Sequence, residues 1–312
     1  MASSRQVKKR IRSTKNIAQI TKAMEAVSAV KMRKSQEIAL RSRSYSLAAY
    51  EILKNLVGGF DLESMKSNPL LKRHKSKRTC LVIVTSDKGL CGAFSGNVLR
   101  TANNFIKSRD AGTVDVIAIG KKGADFSVKK GIKLVEKITG TGDYGAIDET
   151  RFLSDLLAKL YSTGEYGEIY AVYTNFISVM KQEVVVEKIL PFSREGVEKR
   201  IEEIIPMRGK YAGTPEVLGE SGPARTGYIF EPSPKEALSN LLPLLLEIQV
   251  YHIVLEANAS EHSARMVAMK NASENASELI DSLELLYNKA RQAQITKELT
   301  EIVGGAAALN NQ

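Results

Sequence analysis

The chain has 312 residues, 43% of them hydrophobic and 26% charged, which is ordinary for a globular protein. It contains no run of about 18 apolar residues, so we expect no membrane-spanning segment, and its basic start is unlike a secretory signal. The formal net charge is +10, and residues 1–56 alone carry 13 Lys/Arg against 3 Asp/Glu. The whole excess of positive charge therefore lies on the first segment of the chain.

Cysteine and histidine are too few and too scattered for a metal site. The two cysteines, Cys80 and Cys91, lack zinc-site or CxxC spacing, and no two of the three histidines are spaced as metal ligands. We expect small buried thiols in a reducing compartment, and neither a metal nor a cofactor.

The first segment is predicted to be one long helix. Residues 3–57 contain neither Pro nor Gly, Ser3 with Gln6 fits a capping box, and Gly58 supplies a stop. At 1.5 Å per residue the helix would be about 80 Å long. Its apolar stripe passes through Val7, Ile11 and Ala18, and then through Ile17, Ile20, Met24 and Val27. The stripe slips near residue 18 and again near Lys31, which is typical of a helix that changes partner or supercoil phase.

The middle of the chain reads as an α/β domain. A polar connector, 60–78, ends in the basic run 72–78, which we interpret as a solvated lead-in rather than a nucleic-acid site. Strands are predicted over 79–85, 114–119, 168–176 and 182–189, and helices over 95–107, 122–130 and 150–161. Strands that alternate with helices indicate a sheet with parallel strands, so we predict a Rossmann-like domain.

The last segment is predicted to be a second very long helix. Ser233 is a good N-cap with Pro234 at the first helical position, and Pro243 should kink or restart the helix. The seam that follows is Leu255, Ala259, His262, Met266, Met269, Ser273, Ala276, Ile280, Leu283, Tyr287, Ala290 and Gln294. Its steps alternate between four and three residues, which is the 3.5-residue period of a left-handed coiled coil.

Charge complementarity favours pairing of the two terminal helices. Residues 235–303 carry 6 Lys/Arg and 10 Asp/Glu, which opposes the charge of the first helix. The predicted fold class is α/β, with a long antiparallel coiled coil of the terminal helices and a central Rossmann-like domain. The predicted domains are a first shaft helix (1–58), the α/β domain (79–192), a surface loop (193–232) and a second shaft helix (233–312). A projecting two-helix coiled coil exposes apolar area and usually has a partner.

No catalytic centre is evident in the sequence. The Gly-rich turn 86–97 follows a strand and precedes a helix, as phosphate-binding turns do, but it is neither GxGxxG nor a P-loop. We interpret it as a tight structural turn. Two alternatives remain open: a coiled-coil scaffold that binds nucleic acid through the basic helix, and a Rossmann-like nucleotide-binding enzyme.

Four stretches together resemble one family. They are Arg10–Ile17 with Ile20–Glu25 and Lys31–Arg33, then Ser86–Gly92, then Glu261–Ala272, and finally Tyr287–Gln292 through Gly304 and Ala306. In this order along the chain they are similar, almost word for word, to the γ subunits of F-type ATP synthases.

The resemblance implies a rotor. In that family the terminal helices form a shaft inside a ring of three α and three β subunits, and the α/β domain docks with the ε subunit onto the membrane ring of c subunits. Proton flow turns the shaft, which drives the β nucleotide sites through different affinities. The chemistry belongs to β, so no catalytic residue, cofactor or nucleic acid is expected. The implied location is peripheral, on the cytoplasmic side of a bacterial plasma membrane.

The resemblance also implies contact residues. Those expected to face acidic segments of β are Lys22, Met24, Lys31, Arg33 and Lys34, and those that match family positions touching β higher on the shaft are Arg291, Gln292 and Thr296. The uncharged end, 304–312, would turn in an apolar sleeve. No cysteine follows Cys91, so the regulatory dithiol of photosynthetic relatives is not expected, and the loop 193–232 is long for the family.

Overall fold

The computed structural model describes residues 4–59, 68–110, 112–140, 142, 147–192 and 234–310. The chain divides into two compact units, Met1–Ser28 with Arg265–Gln312, and Ala29–Ala264. The predicted cap residue Ser3 and the predicted loop 193–232 lie outside the described residues.

The larger unit contains a five-stranded mixed sheet. The elements of the chain are α1 (Ser4–Gly59), β1 (Thr79–Val84), α2 (Phe94–Lys107), β2 (Val114–Ile119), α3 (Lys121–Lys130), β3 (Leu134–Ile138), α4 (Ile147–Ser162), β4 (Glu168–Phe176), β5 (Gln182–Leu190) and α5 (Pro234–Asn310). The strand order is β3-β2-β1-β4-β5. The first four strands in this order run parallel, and β5 pairs antiparallel with β4.

The predicted α/β architecture is confirmed, with one strand missed. Strands β2 and β4 have the predicted bounds, and the other predicted elements begin and end within a few residues of those bounds. Strand β3 was not predicted because its five residues, LVEKI, are mostly half-exposed and carry two charges. A short edge strand of this kind lacks the continuous apolar run that identifies a central parallel strand.

The sheet is covered on both faces. All residues of β1 and β2 are buried, and successive side chains along a strand point to opposite faces. On one face Cys80, Val82 and Val84 share a core with α4 and with the first third of α5. On the other face Leu81 and Ile83 share a core with α2 and α3. The start of α5 is therefore a layer of the α/β domain.

Strand β2 carries a buried charge that fixes the entry to the sheet. The Asp115 carboxylate forms an ion pair with Arg78, accepts a hydrogen bond from the Tyr166 hydroxyl at 2.7 Å, and lies 3.5 Å from Lys133 Nζ. Burial, together with the hydrogen bond to Asp115, raises the pKa of Tyr166. Because a buried carboxylate is costly without partners, this network fixes the lead-in segment against β2.

The buried position of Cys80 yields a reactivity prediction. Burial, reinforced by the nearby charge of Asp115, raises the pKa of its thiol to about 12. Alkylation requires the thiolate, so at about pH 8 we expect Cys80 to react at least about 1,000-fold more slowly than free cysteine. Mass spectrometry after iodoacetamide treatment, with and without urea, measures this. Rapid labelling of Cys80 in the native protein would contradict the prediction.

The seam that α1 buries differs from the predicted one. Val7, Thr21 and Ser28 are buried, and the spacing continues through Met32 and Ser35. The buried seam does not shift near residue 18, because small hydroxyl residues continue it while the apolar residues move to another side of the helix. Their hydroxyls donate to carbonyls of the same helix, at 3.1 Å from Thr21 to Ile17 and at 2.7 Å from Ser28 to Met24. Because these hydroxyls are already hydrogen-bonded, the small side chains of Thr21 and Ser28 can be buried where two helices pack closely.

The smaller unit is an antiparallel coiled coil of the start of α1 and the end of α5. Met269 and Ala276 are buried, and the predicted seam positions are at least half-buried as far as Ala290, after which Gln294 is exposed. Lys15 Nζ lies 2.8 Å from Glu284 Oε1 across the pair. The 3.5-residue period of the last helix is thereby confirmed over these turns.

Helix α5 continues through Pro243 without a restart. Of the two expected outcomes, a kink or a restart, the structure excludes the restart. Pro243 is exposed, so water can satisfy the carbonyl that loses its helical donor. Among the described residues one stretch, Ser239–Gly304, is long and apolar enough to cross a membrane, but 61% of its most apolar window is buried inside the molecule. That burial is typical of the core helix of a globular domain.

Candidate partner-contacting surfaces

A second apolar stripe runs along α1 and is exposed. Ile17, Ile20 and Val27 are 52%, 59% and 54% exposed. With about 100° per residue, the stripe is centred roughly a quarter of a turn from the buried seam. These residues belong to the part of the apolar stripe that was predicted to change partner, and they do not pack within the described part of the chain. An uncovered apolar stripe of this kind marks a contact with another protein.

The predicted contact residues of α1 do not share one side of the helix. Met24 and Lys31 are seven residues apart, so both lie on the side of the exposed apolar stripe, and both are half-buried. Lys22 and Arg33 are exposed and lie on the opposite side. Lys34 is exposed near the edge of the stripe. The helix therefore presents an apolar side with cations beside it and a separate cationic side.

The end of α5 is exposed on every side. Residues 291–304 are all exposed, and these include Arg291, Gln292 and Thr296. An apolar stripe of Ile295, Leu299 and Ile302, which are 47%, 57% and 67% exposed, runs along this segment. Arg291 and Gln292 flank the stripe, because they lie four and three residues before Ile295. Within the described part of the chain nothing buries this stripe, so it is open to a partner.

The side of this segment opposite the stripe is polar. Lys297 and Glu301 form a pair within the helix at 3.6 Å, and the Thr296 hydroxyl donates to the Gln292 carbonyl at 3.0 Å. The segment is thus an amphipathic helix that extends past the last half-buried seam position, Ala290.

The Gly-rich turn 86–92 is built into the domain by its own polar groups. Asp87 Oδ1 accepts from Lys121 N at 2.8 Å and Oδ2 from Gly140 N at 2.7 Å, which joins the ends of three parallel strands. The Ser86 hydroxyl lies 2.7 Å from Ser95 Oγ. Gly92 has a φ of +57°, as a tight turn requires. These bonds support the interpretation of the turn as structural.

Comparison with known proteins places the chain in a family. The family model described as ATP synthase matches residues 3–309. The ATP synthase gamma chain of Pelotomaculum thermopropionicum is 41% identical over 310 residues, which are 99% of this chain and 100% of that protein. The gamma chain of Chloroflexus aurantiacus is 40% identical over 313 residues, covering all of both chains.

Solved structures share the fold. A chain of the Euglena gracilis mitochondrial ATP synthase (OSCP/F1/c-ring) matches with a TM-score of 0.64 and 21% identity, over 98% of this chain and 94% of its own length. A chain of the Tetrahymena thermophila mitochondrial ATP synthase (central stalk/c-ring) matches with a TM-score of 0.58 and 22% identity, over 81% of this chain and 99% of its own.

A coiled coil that leaves apolar stripes uncovered, in one chain with a Rossmann-like α/β domain, is typical of a subunit that contacts other proteins. The full-length identity to curated relatives then gives the family: the chain belongs to the γ chains of ATP synthase.

Proposed function

We propose that this chain is the central rotor shaft of a proton-translocating F-type ATP synthase. It couples rotation of the c ring to conformational change at the β-subunit nucleotide sites. Its partners are the α and β subunits of the catalytic head, the ε subunit and the c ring. The observation that carries the proposal is the exposed amphipathic end of α5, an apolar stripe with no packing among the described residues, in a chain of this family.

The two different sides of α1 support a mechanism based on asymmetry. One side combines exposed Ile20 and Val27 with Met24 and Lys31, and the opposite side carries Lys22 and Arg33. As the shaft turns, each β subunit meets the apolar and the cationic side in succession. Acidic segments of β would attract the cationic side. The equilibrium between two conformations of a β nucleotide site shifts only when the shaft contacts one conformation more favourably than the other. An asymmetric shaft provides such a difference.

The exposed end of α5 is suited to a contact within which the helix can rotate. Arg291, Gln292 and Thr296 would touch β beside the stripe of Ile295 and Leu299. Apolar contacts are non-directional, so the energy of the contact changes little as the helix rotates. Charge-assisted hydrogen bonds, in contrast, have fixed geometry and would resist turning.

The proposal assigns nucleotide chemistry to β and no catalytic centre to this chain. The engaged groups of the turn 86–92 support this assignment, since Asp87 and Ser86 already bond within the domain. The chain would be held at the cytoplasmic side of a bacterial plasma membrane through the complex, as a peripheral subunit.

Reconstitution tests the function. The full-length chain is mixed with matching α and β subunits, and the mixture is analysed by gel filtration and Mg-ATPase assay. We expect one copy to co-migrate with each ring of three α and three β subunits and to raise the ATPase rate. Failure to co-migrate, together with salt-dependent binding to DNA or RNA, would instead favour the nucleic-acid scaffold.

Removal of residues 291–312 is expected to affect the complex and not the fold. The described side chains that are lost, 291–304, are exposed, so the melting temperature of the isolated chain should change by less than about 2 °C. In the complex, the loss of the apolar contacts of Ile295, Leu299 and Ile302, about 1.5 kcal/mol or more each, should weaken retention by about 1,000-fold.

The matched control for this truncation is Lys297→Gln with Glu301→Gln, which alters the polar side of the same segment and keeps its length. We expect near-normal retention of the control variant on gel filtration at decreasing protein concentration. Equal retention of the truncated and full-length chains would show that the end of α5 does not contact the ring.

A further inference from the structure

A basic groove lies at the edge of the sheet opposite to the turn 86–92. It has a volume of about 450 Å³ and is formed by the segment that leads into β1, the connection after α2, the start of β4 and the end of β5. Its basic lining consists of Arg73, His74, Lys77, Arg78, Arg109 and Lys188. These positions are distant in sequence, and only the run 72–78 was apparent from the sequence, where it was interpreted as a solvated lead-in.

Positive charge exceeds negative charge in this groove. Five Lys/Arg side chains face two carboxylates, those of Asp110 and Glu168. Glu168 serves two cations, with its Oε2 at 3.2 Å from Arg109 and its Oε1 at 2.5 Å from Lys188. Partial burial alone would raise the pKa of Glu168, but Lys188 and Arg109 hold it below its usual value. The Glu168 carboxylate is therefore ionised and already paired with Arg109 and Lys188.

The cations of the groove differ in how far they are compensated. Arg78 is paired with Asp115 and, at 3.0 Å, with Glu165. Arg73 and Lys77 are exposed and form no ion pair with any residue that the structure describes. Clefts lined by one sign of charge concentrate ions of the opposite sign. The two unpaired cations therefore leave positive charge available for a small multivalent anion.

The groove wall is held in place by packing. Arg109 stacks over Phe105 and Tyr170, with its guanidinium carbon 5.1 Å and 5.3 Å from the ring centroids. The lead-in segment is fastened by the Ser76 hydroxyl, which donates to the Glu165 carbonyl at 2.7 Å. At Gly167 an added Cβ would lie 2.1 Å from the Ser76 carbonyl oxygen, so the two backbones are in direct contact. Preorganised donors bind a ligand at a lower entropic cost.

His74 adds an unsatisfied hydrogen-bonding atom to the same wall. Its ring packs edge-on against Tyr161 with centroids 4.8 Å apart. Its Nε2 atom is buried and has no hydrogen-bond partner among the described residues. Buried polar atoms are normally paired, so this nitrogen is a candidate partner for a hydrogen-bonding group of a bound ligand.

We propose that this groove binds a phosphate-bearing anion, either a free phosphate compound or the headgroup of an anionic phospholipid. Arginine presents a planar fork of donors that matches phosphate oxygens in bidentate geometry, and lysine is a compact point charge for the same group. The proposal does not depend on the rotor function. Binding to the folded domain would also stabilise it.

Calorimetric titration of the full-length chain with pyrophosphate tests the proposal. The variant is Arg73→Gln with Lys77→Gln, two exposed groove residues that make no ion pair with the described residues. The matched control is Lys129→Gln with Lys130→Gln, two exposed lysines at the end of α3 with the same change of charge. We expect saturable one-to-one binding that weakens at least about 10-fold in the groove variant and less than about twofold in the control.

Flotation with vesicles distinguishes the two sources of phosphate. Vesicles of phosphatidylglycerol are compared with vesicles of phosphatidylcholine, with and without pyrophosphate as a competitor. Groove-dependent binding to the anionic vesicles identifies a lipid headgroup, and pyrophosphate binding without vesicle binding identifies a free anion.

Two results would overturn the proposal. One is equal weakening in the groove variant and the control, which would show only general electrostatic attraction. The other is the absence of saturable binding to either probe. Neither result would alter co-migration of the chain with the α and β subunits, so failure here is distinguishable from failure of the rotor proposal.

Discussion

Replacement of Gly120 by alanine is expected to prevent stable folding of the α/β domain. Gly120 directly follows β2 and has φ +91° and ψ 145°, a conformation that is essentially restricted to glycine. An added Cβ would lie 2.0 Å from the Thr85 carbonyl oxygen, which is backbone and cannot rotate away. The strain and the overlap together should cost more than about 4 kcal/mol, a large part of the stability of a typical domain.

Two other glycines separate the causes of this effect. Gly131 has φ +65° but open space at the Cβ position, so Gly131→Ala should cost about 1 kcal/mol from backbone strain alone. Gly89 has no positive φ, and an added Cβ there would meet no atom within 4 Å, so Gly89→Ala should change stability by less than about 0.5 kcal/mol. Urea denaturation followed by circular dichroism gives the stability of each variant that folds, and loss of the cooperative transition is the result expected for Gly120→Ala. A midpoint for Gly120→Ala close to that of Gly131→Ala would show that the domain can relax around the methyl group.

The double substitution Ile20→Asn with Val27→Asn is expected to leave the isolated chain folded and to weaken its assembly with the α and β subunits about 100-fold. Both side chains are more than half exposed, so their loss removes little packing within the chain. In the assembly, each buried apolar side chain contributes about 1.5 kcal/mol or more, and 1.4 kcal/mol corresponds to a factor of ten. Gel filtration over a dilution series measures retention, and thermal denaturation of the free chain measures its stability.

The matched control for that pair is Gln19→Asn with Ala26→Asn. These two residues are exposed, and each precedes a residue of the test pair by one position, so they lie about 100° around the same helix. Asparagine there imposes a helix cost at least as large without removing the apolar stripe. If both variants weakened assembly equally, the effect would come from the helix in general and not from the exposed apolar stripe. Unchanged assembly of the Ile20 and Val27 variant would remove the exposed stripe from the proposed interface.

The contact residues inferred from resemblance illustrate what a sequence match can and cannot supply. The match identified Lys22, Met24, Lys31, Arg33 and Lys34 as a group, because motif positions are compared along a line. The helix separates them, since a period of 3.6 residues places Met24 and Lys31 on one side and Lys22 and Arg33 on the other. The group therefore becomes two surfaces, and their contacts with β remain a proposal.

Features of the chain that depend on local pattern were predictable from the sequence. The buried strands β1 and β2 are continuous apolar runs, which a parallel sheet covered on both faces requires. The coiled-coil seam of α5 repeats every 3.5 residues from Met266 to Ala290, so its buried positions follow from the period alone. The family motifs also depend only on residue order.

Other features were decided by the tertiary structure, because they depend on residues that are distant in the chain. Helix α1 has two candidate stripes, and the one that is buried carries Thr21 and Ser28 while the more apolar Ile20 and Val27 remain exposed. Hydrophobicity alone favours burial of the stripe that contains Ile20 and Val27. The stripe that contains Thr21 and Ser28 is buried instead, because small side chains allow two helices to approach closely. The basic groove likewise exists only because folding brings residues 73, 109, 168 and 188 together at one edge of the sheet.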